Sequence, residues 1–378
     1  MLCNVMTSGA LEPLYGHAIE QGSERARELL YGGWTVIQQA ITPGEVQELI
    51  SGFDEHLEKG GFAGRWSEPE SCQKAKNLPA CMWGIDASYM PLTETAVHAR
   101  VLMRRAFGKE FHIAPEQLMS SFDGVMMSHA NYTTRPQMDA ETPRLPIDPE
   151  KYGPAHVDQS LLREGTAESH QCYLALTPIG ASEMSTAILV PTNGWTMQGM
   201  VDALREQFSD FYNPVKKRKK TPAGNEEGYR FPPEQQEWLF AQGMCKVVKP
   251  HLNPGDMIIW SSSAMHCGAT FKSKTPRRAR LGVISAFCPI DLVSNDAKTK
   301  LWSIVGKGFN TGQQIRFPSK HGFSFPTYMA RSQKPENWPQ AYKDLKSWRD
   351  SLKSVLLYED PRQSDKYRTE LKSLLGFA

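Results

Sequence analysis

His156 and Asp158, near the middle of the chain, are separated by the single residue Val157. In an extended segment, residues i and i+2 point to the same side, so the imidazole and the carboxylate can both face one cation. Two ligands do not hold a catalytic metal, so a third must come from another part of the sequence. Alone, this triplet is weak support for a metal site, because a surface histidine beside a turn aspartate has the same spacing.

His266 is the best third ligand that the sequence offers. A Pro-Gly-Asp turn at 254–256 leads into the apolar stretch 257–260, and His266 follows just beyond its end, beside Cys267 and Gly268. Two histidines and one carboxylate on one face, with coordination positions left open, are typical of non-haem iron(II) oxygenases. A lone histidine after a strand is more often a structural residue, so the hypothesis depends on the fold bringing the three together.

The segments around these residues predict a β-rich core between helical flanks. Short apolar stretches, separated by Pro, Gly, Asn and Asp, predict strands over 171–177, 186–190, 246–249, 257–260 and 280–287. Such strands are typical of an antiparallel barrel or sandwich. Nearer the N-terminus, a strand is expected over 34–38 and a helix over 93–107. Between them, Thr42, Pro43 and Glu45 predict the start of a helix with a capping box.

The chain is expected to form a single domain over residues 1–378. It divides into an N-terminal helical region (1–117), a β core (118–290) and a helical C-terminal extension (291–378). An insertion at 196–245 interrupts the core and holds an expected helix over 200–211 and a basic run at 216–220. Aromatic residues around the run predict either a lid over the mouth of the core or simple packing of the insertion.

Composition favours a soluble intracellular protein. The 43 basic and 41 acidic residues leave a net charge of +2, which gives no general attraction to nucleic acid or membrane. Seven scattered cysteines without a CxxC pair argue against a disulfide framework and fit a reducing compartment. No signal peptide is recognisable, and no apolar run reaches the roughly 18 residues that a membrane helix needs. A cytoplasmic location is therefore expected.

Four separated blocks resemble the phytanoyl-CoA dioxygenase-like family of iron(II)- and 2-oxoglutarate-dependent oxygenases. They are 29–57, the His156–Asp158 motif, 171–195 and 254–287, in the order found in that family. Two features depart from the family pattern. The 107 residues between Asp158 and His266 are a long separation, and the turn at 191–194 reads Pro-Thr-Asn-Gly without the usual Gly and His. Beyond residue 290 the resemblance ends.

The resemblance implies a double-stranded β-helix, which is a jelly-roll barrel of the cupin type, with Fe(II) bound by the three residues above. It also implies the cosubstrate 2-oxoglutarate, whose distal carboxylate needs a cation, and Arg binds a carboxylate through two parallel hydrogen bonds. Arg280 begins the last predicted strand and matches the family's position. Arg278 lies on the same face two residues earlier and stays an alternative. Arg277 is better explained as a solvated loop charge.

The implied reaction oxidises an unactivated C–H bond with O2 while 2-oxoglutarate is decarboxylated to succinate and CO2. Related halogenases have a small residue in place of the metal-binding carboxylate, so Asp158 predicts hydroxylation, desaturation or oxidative cyclisation instead. Because the overall charge is near zero, the expected substrate is a small polar molecule, either amino-acid-derived or another secondary metabolite. No nucleic-acid or membrane partner is expected.

Three other functions stay open. The basic run at 216–220 could bind the phosphates of an acyl-CoA substrate. The chain could instead be a non-enzymatic binding or scaffold protein with a degenerate site, for nucleic acid through the same run. A cupin-like metalloenzyme that does not use 2-oxoglutarate is the third. The presence of all three metal ligands and of Arg280 argues against the second function, and Arg280 argues against the third.

Overall fold

A computed structural model gives the structure, and it describes most of the N-terminal region and the core. The described residues are 12–59, 65–68, 71, 93–128, 137–138, 155–159, 169–183, 185–209, 211, 229–271, 278–306, 311–313, 315–316, 318 and 365–377. The basic run at 216–220 and Arg277 lie outside them, as does most of the tail that was expected to be helical. No helix in the described part of the chain has the length and apolar character needed to cross a bilayer.

Eight helices are described, and most of them lie before the first or after the last strands of the core in the sequence. They are α1 (Glu12–Glu20), α2 (Glu24–Arg27), α3 (Pro43–Lys59), α4 (Glu94–Phe111), α5 (Met197–Gln207), α6 (Pro233–Ala241), α7 (Asn295–Gly306) and α8 (Asp365–Leu374). A π turn, Glu28–Gly32, follows α2, and two 3-10 turns cover Pro115–Gln117 and Ile290–Leu292. Helices α3, α4 and α5 confirm three sequence predictions. Helix α6 was not predicted, and α7 and α8 lie in the C-terminal extension that was expected to be helical.

Twelve strands are described. They are β1 (Trp34–Ile37), β2 (Leu118–Ser120), β3 (Gly124–Ser128), β4 (Gln137–Met138), β5 (His156–Val157), β6 (His170–Ala175), β7 (Ser185–Pro191), β8 (Tyr229–Arg230), β9 (Cys245–Val248), β10 (Met257–Ser261), β11 (His266–Phe271) and β12 (Arg280–Pro289). All six strands predicted from the sequence are present, as β1, β6, β7, β9, β10 and β12.

The strands form two six-stranded sheets. The first has the order β1-β10-β6-β12-β2, with β3 also paired to β12, and every pairing in it is antiparallel. The second has the order β8-β5-β11-β7-β9, with β4 added to β11 as a parallel neighbour. Mainly antiparallel sheets with flanking helices confirm the broad fold class predicted from the sequence.

Side-chain alternation along the strands separates three apolar clusters. Leu174, Ile259 and Val283 lie on the outer face of the first sheet and pack with α3, α4, α7 and α8. The residues next to them in the strands point the other way, and there Tyr173 and Ile258 join Ile188 of the second sheet. The cluster on the outer face of the first sheet includes residues from α1 to α8. The cluster with Tyr173, Ile258 and Ile188, which we call the inter-sheet cluster, borders the space in which a site can lie.

The third cluster covers the outer face of the second sheet with the insertion. Phe211, Tyr229 and Phe231 are buried there against α5 and α6. Of the two roles left open for the insertion's aromatic residues, these three therefore have the packing role. The burial of this face is also why α5 and α6 fold onto it, because an exposed sheet face of this apolar character would be unfavourable.

The predicted capping box at the start of α3 is present. The backbone N–H of Thr42 donates to Glu45 Oε2 at 2.8 Å, and the N–H of Glu45 donates to Thr42 Oγ1 at 3.3 Å. Because the two residues satisfy each other's backbone donors, the helix start is fixed locally. Just before the helix, the N–H of Ile41 donates to the carbonyl of Gly255 at 3.3 Å and so joins this helix to the turn before β10.

Gly282 on β12 is required by the side chain of Tyr173 on β6. A Cβ at Gly282 would lie 2.3 Å from Tyr173 Cζ and 2.4 Å from Tyr173 Oη. Tyr173 is 3% exposed and has Ile258 and Ile284 as its cross-strand neighbours, so a shift of its ring away from Gly282 would disturb the packing of buried residues. We expect Gly282→Ala to lower the free energy of unfolding by about 1–3 kcal/mol, as overpacking of a core does.

Urea denaturation measures this effect, with Gly16→Ala as the matched control. Gly16 lies inside α1, and a Cβ there would have no neighbour within 4 Å. The control should be neutral or stabilised by up to about 1 kcal/mol, because alanine is the better helix former. Equal stability of the Gly282→Ala variant and the parent would show that the ring of Tyr173 is not confined as described.

Candidate metal centre

His156 and Asp158 are positioned by the short strand β5. Val157 between them is buried in the cluster behind the second sheet, so its two neighbours point to the opposite side, as the spacing predicted. His156 lies directly across from His266 in the β5–β11 pairing. The backbone N–H of Asp158 donates to the carbonyl of Ser262 at 3.1 Å, which fixes the residue just beyond the end of β5.

His266 is the first residue of β11. The turn between β10 and β11 delivers it to the position expected from the sequence, beyond the end of the apolar strand. Its side chain is buried, with 5% of the residue exposed. Nδ1 lies 2.9 Å from the carbonyl oxygen of Ala264. Since that oxygen can only accept, Nδ1 is the donor of this hydrogen bond, and Nε2 is the nitrogen left to face a cation.

The three predicted ligands converge. His266 Nε2 lies 3.0 Å from Asp158 Oδ2, and His156 Nε2 lies 3.5 Å from Asp158 Oδ1. One ligand atom from each residue lies within 4.8 Å of the other two, and no other group of His, Cys, Asp or Glu in the described residues meets this condition. Metal bonds to nitrogen and oxygen are about 2.0–2.2 Å long, so atoms at these separations can share one ion.

The carboxyl of Asp158 is ionised in this setting. Burial disfavours its charge, but the adjacent His156 and His266 outweigh the burial and hold its pKa at about 2. Gln171 on β6 adds a hydrogen bond, with Nε2 donating to Asp158 Oδ2 at 2.9 Å. A carboxylate that is charged and oriented before a cation arrives is the state a metal ligand needs. Gln171 was not predicted, although a glutamine within an apolar strand signals a buried polar group that requires a partner.

Arg280 begins β12, as predicted, and is 2% exposed. In the alternation of β12 it shares the face of Gly282 and Ile284, which points toward the inter-sheet cluster. Tyr173 lies close enough for the Arg280 charge to act on its phenol. Burial raises the pKa of Tyr173, and the guanidinium opposes that rise. Tyr173 Oη is buried and has no hydrogen-bond partner among the described residues.

Arg278, the sequence alternative to Arg280, lies in a different setting. Its backbone N–H donates to Glu183 Oε1 at 3.0 Å, its Nε lies 3.4 Å from the same oxygen, and its side chain is 45% exposed. The other Glu183 oxygen accepts from the N–H of Gly180 at 2.7 Å. The charge of Arg278 is thus directed to the buried carboxylate of Glu183, in the loop between β6 and β7.

Lys249 is a buried cation that the sequence reading missed. Its ammonium donates to the carbonyl of Gly180, and the residue is 5% exposed. Burial lowers the pKa of Lys249 to about 8, with Glu183 opposing that shift and Arg280 adding to it. The end of the core that holds Arg280 therefore has two interacting buried cations. A lysine at the end of a short strand resembles an ordinary surface residue in the sequence, so no pattern marked it.

No protein-family model matches the chain, and no curated protein matches it either. The predicted membership of the phytanoyl-CoA dioxygenase-like family therefore stays a prediction.

Several solved structures are distantly similar to the chain. The 2-oxoglutarate-dependent carbocyclase SnoK from nogalamycin biosynthesis has 12% identity and a TM-score of 0.35, covering 71% of this chain and 84% of that one. HygX from Streptomyces hygroscopicus, with nickel and 2-oxoglutarate bound, has 14% identity and a TM-score of 0.37, covering 71% and 87%. EctD from S. alaskensis, with 2-oxoglutarate and 5-hydroxyectoine, has 11% identity and a TM-score of 0.38, covering 71% and 77%. Likenesses of this strength assign neither a reaction nor a substrate to this chain.

Proposed function

We propose that this protein is an iron(II)- and 2-oxoglutarate-dependent oxygenase that oxidises an unactivated C–H bond of a small metabolite. The observation that carries the proposal is the convergence of His156, Asp158 and His266 on one point between two sheets. Two imidazoles and one carboxylate leave the remaining coordination positions of an iron(II) ion open for other ligands. The donor set, its spacing and the hydrogen bond of His266 Nδ1 fit such an ion.

The proposal includes a jelly-roll barrel in one domain. Apart from β7 and β9, which are paired neighbours in the second sheet, successive core strands alternate between the sheets, so that β3-β12-β6-β10 is one run and β5-β11-β7-β9 is the other. This interleaving is what a chain folded as a double-stranded β-helix produces. A single apolar cluster joins residues from α1 to α8 across the first sheet, which supports one domain for the whole chain.

Arg280 and Tyr173 support 2-oxoglutarate as the cosubstrate. A zinc hydrolase can also use two histidines and a carboxylate, but it needs no buried anion site beside the metal. Here a buried guanidinium and a phenol that has no hydrogen-bond partner among the described residues lie on the inner side of the same sheet that bears Gln171, which contacts the carboxylate of Asp158. A guanidinium binds a carboxylate with two parallel hydrogen bonds, and a phenol donates one more. These residues fit the distal carboxylate of a dicarboxylic 2-oxo acid.

In this proposal the bound iron and 2-oxoglutarate supply the oxidising chemistry with O2, and the protein supplies geometry and a dry environment. His156, Asp158 and His266 hold three positions on one side of the ion. Arg280 and Tyr173 fix the far end of the cosubstrate. The inter-sheet cluster, which includes Ile188, Ile258 and Trp260, keeps water from the space between them. Asp158 fills the position that chloride needs in halogenases, which favours hydroxylation, desaturation or cyclisation.

For the substrate we propose a small polar molecule, because a net charge of +2 on 378 residues provides no field that would steer a polyanion. An acyl-CoA is the alternative, and it depends on the basic run at 216–220.

The proposed function predicts that 2-oxoglutarate is consumed. With iron(II) and O2, the purified protein should convert 2-oxoglutarate to succinate slowly, and faster when a metabolite extract contains the substrate, because the two oxidations are coupled in the proposed reaction. Mass spectrometry of succinate and an oxygen electrode measure the two quantities. O2 uptake that does not need 2-oxoglutarate would indicate the cupin-like alternative, and the absence of metal binding would indicate a binding protein.

A further inference from the structure

Asp158 lies just beyond the end of β5, so its backbone is held by contacts outside that strand. Its N–H donates to the carbonyl of Ser262, in the turn between β10 and β11, at 3.1 Å. Ser262 is itself bound to Ser169, just before β6: its N–H donates to Ser169 O at 3.0 Å, and its Oγ accepts from the N–H of Ser169 at 3.1 Å. The backbone of Asp158 is thereby fixed, but the direction of its carboxylate still depends on rotation about its side-chain bonds.

Gln171 on β6 supplies a hydrogen bond that sets this direction. Its Nε2 lies 2.9 Å from Asp158 Oδ2, a normal length for a hydrogen bond between nitrogen and oxygen. A carboxylate oxygen only accepts, so the nitrogen end of the amide must face Asp158. The same oxygen lies 3.0 Å from His266 Nε2, and Oδ1 lies 3.5 Å from His156 Nε2. Gln171 thus holds the carboxylate that lies against both histidines.

The side chain of Gln171 is itself confined. Gln171 is 0% exposed, and its cross-strand neighbours on the inner face of the first sheet are Trp260 of β10 and Ala286 of β12. The ring of Trp260 lies 5.4 Å from the ring of His266, so this part of the sheet faces the proposed ligands. A buried side chain between two strand neighbours is ordered before a metal arrives, which is what a group that orients a ligand requires.

The other end of the amide, Gln171 Oε1, is buried and makes no hydrogen bond within the described part of the chain. A buried polar atom without a partner is unfavourable, so an apolar side chain of similar size would suit this strand better if stability alone mattered. The hydrogen bond to Asp158 is what distinguishes glutamine from such a residue. The presence of an amide here is therefore explained by the carboxylate that it contacts.

We propose that Gln171 is a positioning residue for Asp158, which holds the carboxylate toward the two histidines before a metal binds. This inference rests on the proposed metal site and adds to it a residue that acts through a ligand. An amide suits the position because it donates without placing a positive charge beside a cation, whereas a lysine or arginine would compete with the metal for the carboxylate. Loss of a hydrogen bond of this kind typically weakens metal binding about 10–100-fold.

Binding of Co(II) alone to the full chain, without 2-oxoglutarate, tests the inference. Calorimetry gives the affinity, and the visible spectrum of bound Co(II) reports the coordination geometry. Gln171→Met keeps the length of the side chain and removes its donor. We expect its Co(II) affinity to fall about 10–100-fold and its spectrum to differ from that of the parent.

The matched control is Gln236→Met. Gln236 is 1% exposed, its Nε2 donates to the carbonyl of Phe231 at 2.9 Å, and its Oε1, like that of Gln171, has no partner among the described residues. Its replacement should change thermal stability and leave the Co(II) affinity and spectrum as in the parent. If Gln171→Met also binds Co(II) with the parental affinity and spectrum, its amide only fills space in the sheet, and the inference is wrong.

Two further variants keep the outcomes apart. Gln171→Asn retains an amide but draws it back by one methylene, so it should also weaken Co(II) binding, because the place of the donor matters and not only its polarity. It decides the question if Gln171→Met does not fold, since parental affinity and spectrum in Gln171→Asn would then count against the inference. His266→Ala tests the site itself. If its Co(II) binding equals that of the parent, the proposed function fails, whatever Gln171 does.

Discussion

His266→Ala is expected to abolish metal binding at the micromolar level and, with it, the conversion of 2-oxoglutarate to succinate. Loss of a residue that only orients a ligand typically weakens binding about 10–100-fold, so loss of one of three ligands should weaken it by more than that. The protein should still fold, because a chain of 378 residues buries enough apolar surface without a metal. The structure adds a reason: the strand pairing of β11 with β7 uses backbone groups that the substitution leaves in place.

Thermal unfolding with and without metal separates the two effects. A ligand at about 100 times its dissociation constant stabilises the folded state by about 2.7 kcal/mol, so iron(II) should raise the midpoint of the parent. It should leave the midpoint of His266→Ala unchanged. His98→Ala is the control, since His98 lies on α4 beside Glu370 of α8, away from the site. A metal-induced shift in His266→Ala equal to that of the parent would remove His266 from the ligand set.

The placement of His156 and Asp158 on one side could be predicted because short-range geometry decides it. Alternation in an extended strand puts His156 and Asp158 on one side whatever the rest of the chain does. The position of His266 required more, namely that β10 turn back into β11 beside β5. That pairing is a property of the whole fold. This pairing was expected only because the surrounding blocks resemble a known family.

The residues that support the site could not be predicted in the same way. Lys249 resembles a surface lysine until the fold buries it. Strands β2 and β3 were also missed. Residues 118–128 form an apolar stretch in which periodicity does not distinguish a strand from a helix. Polar residues in such apolar stretches, of which Gln171 is one, are the signal that sequence reasoning could have used.

The separation of Arg278 from Arg280 shows what the structure adds to a motif. Both side chains were assigned to one face of β12 by their spacing, and alternation allows no choice between them. The strand begins only at Arg280, however, and Glu183 accepts both the backbone N–H and the side chain of Arg278. Arg280 is instead buried beside Tyr173, where a carboxylate would lose its hydration and require a strong partner.

Arg280→Ala is expected to weaken 2-oxoglutarate binding by about 2–5 kcal/mol, the usual effect of truncating one member of a buried, hydrogen-bonded charge pair. This corresponds to a roughly 30-fold to several-thousand-fold rise in the dissociation constant. The lower part of that range applies if Lys249 compensates, because its ammonium interacts with Arg280 and remains as a buried cation after the substitution. Calorimetric titration of the metal-loaded protein with 2-oxoglutarate measures the change.

Two matched variants show whether the position or only the charge matters. Arg280→Lys keeps the charge but not the planar fork, so it should recover part of the lost affinity and not all of it. Arg278→Ala removes an arginine two residues away whose side chain is 45% exposed and directed to Glu183, so the 2-oxoglutarate affinity should stay within about threefold of the parent. The opposite ranking, with Arg278→Ala weakening the binding and Arg280→Ala leaving it unchanged, would place the carboxylate at the loop of Glu183. The inner face of the first sheet, with Tyr173 of β6 and Arg280 of β12, would then have to serve the substrate instead.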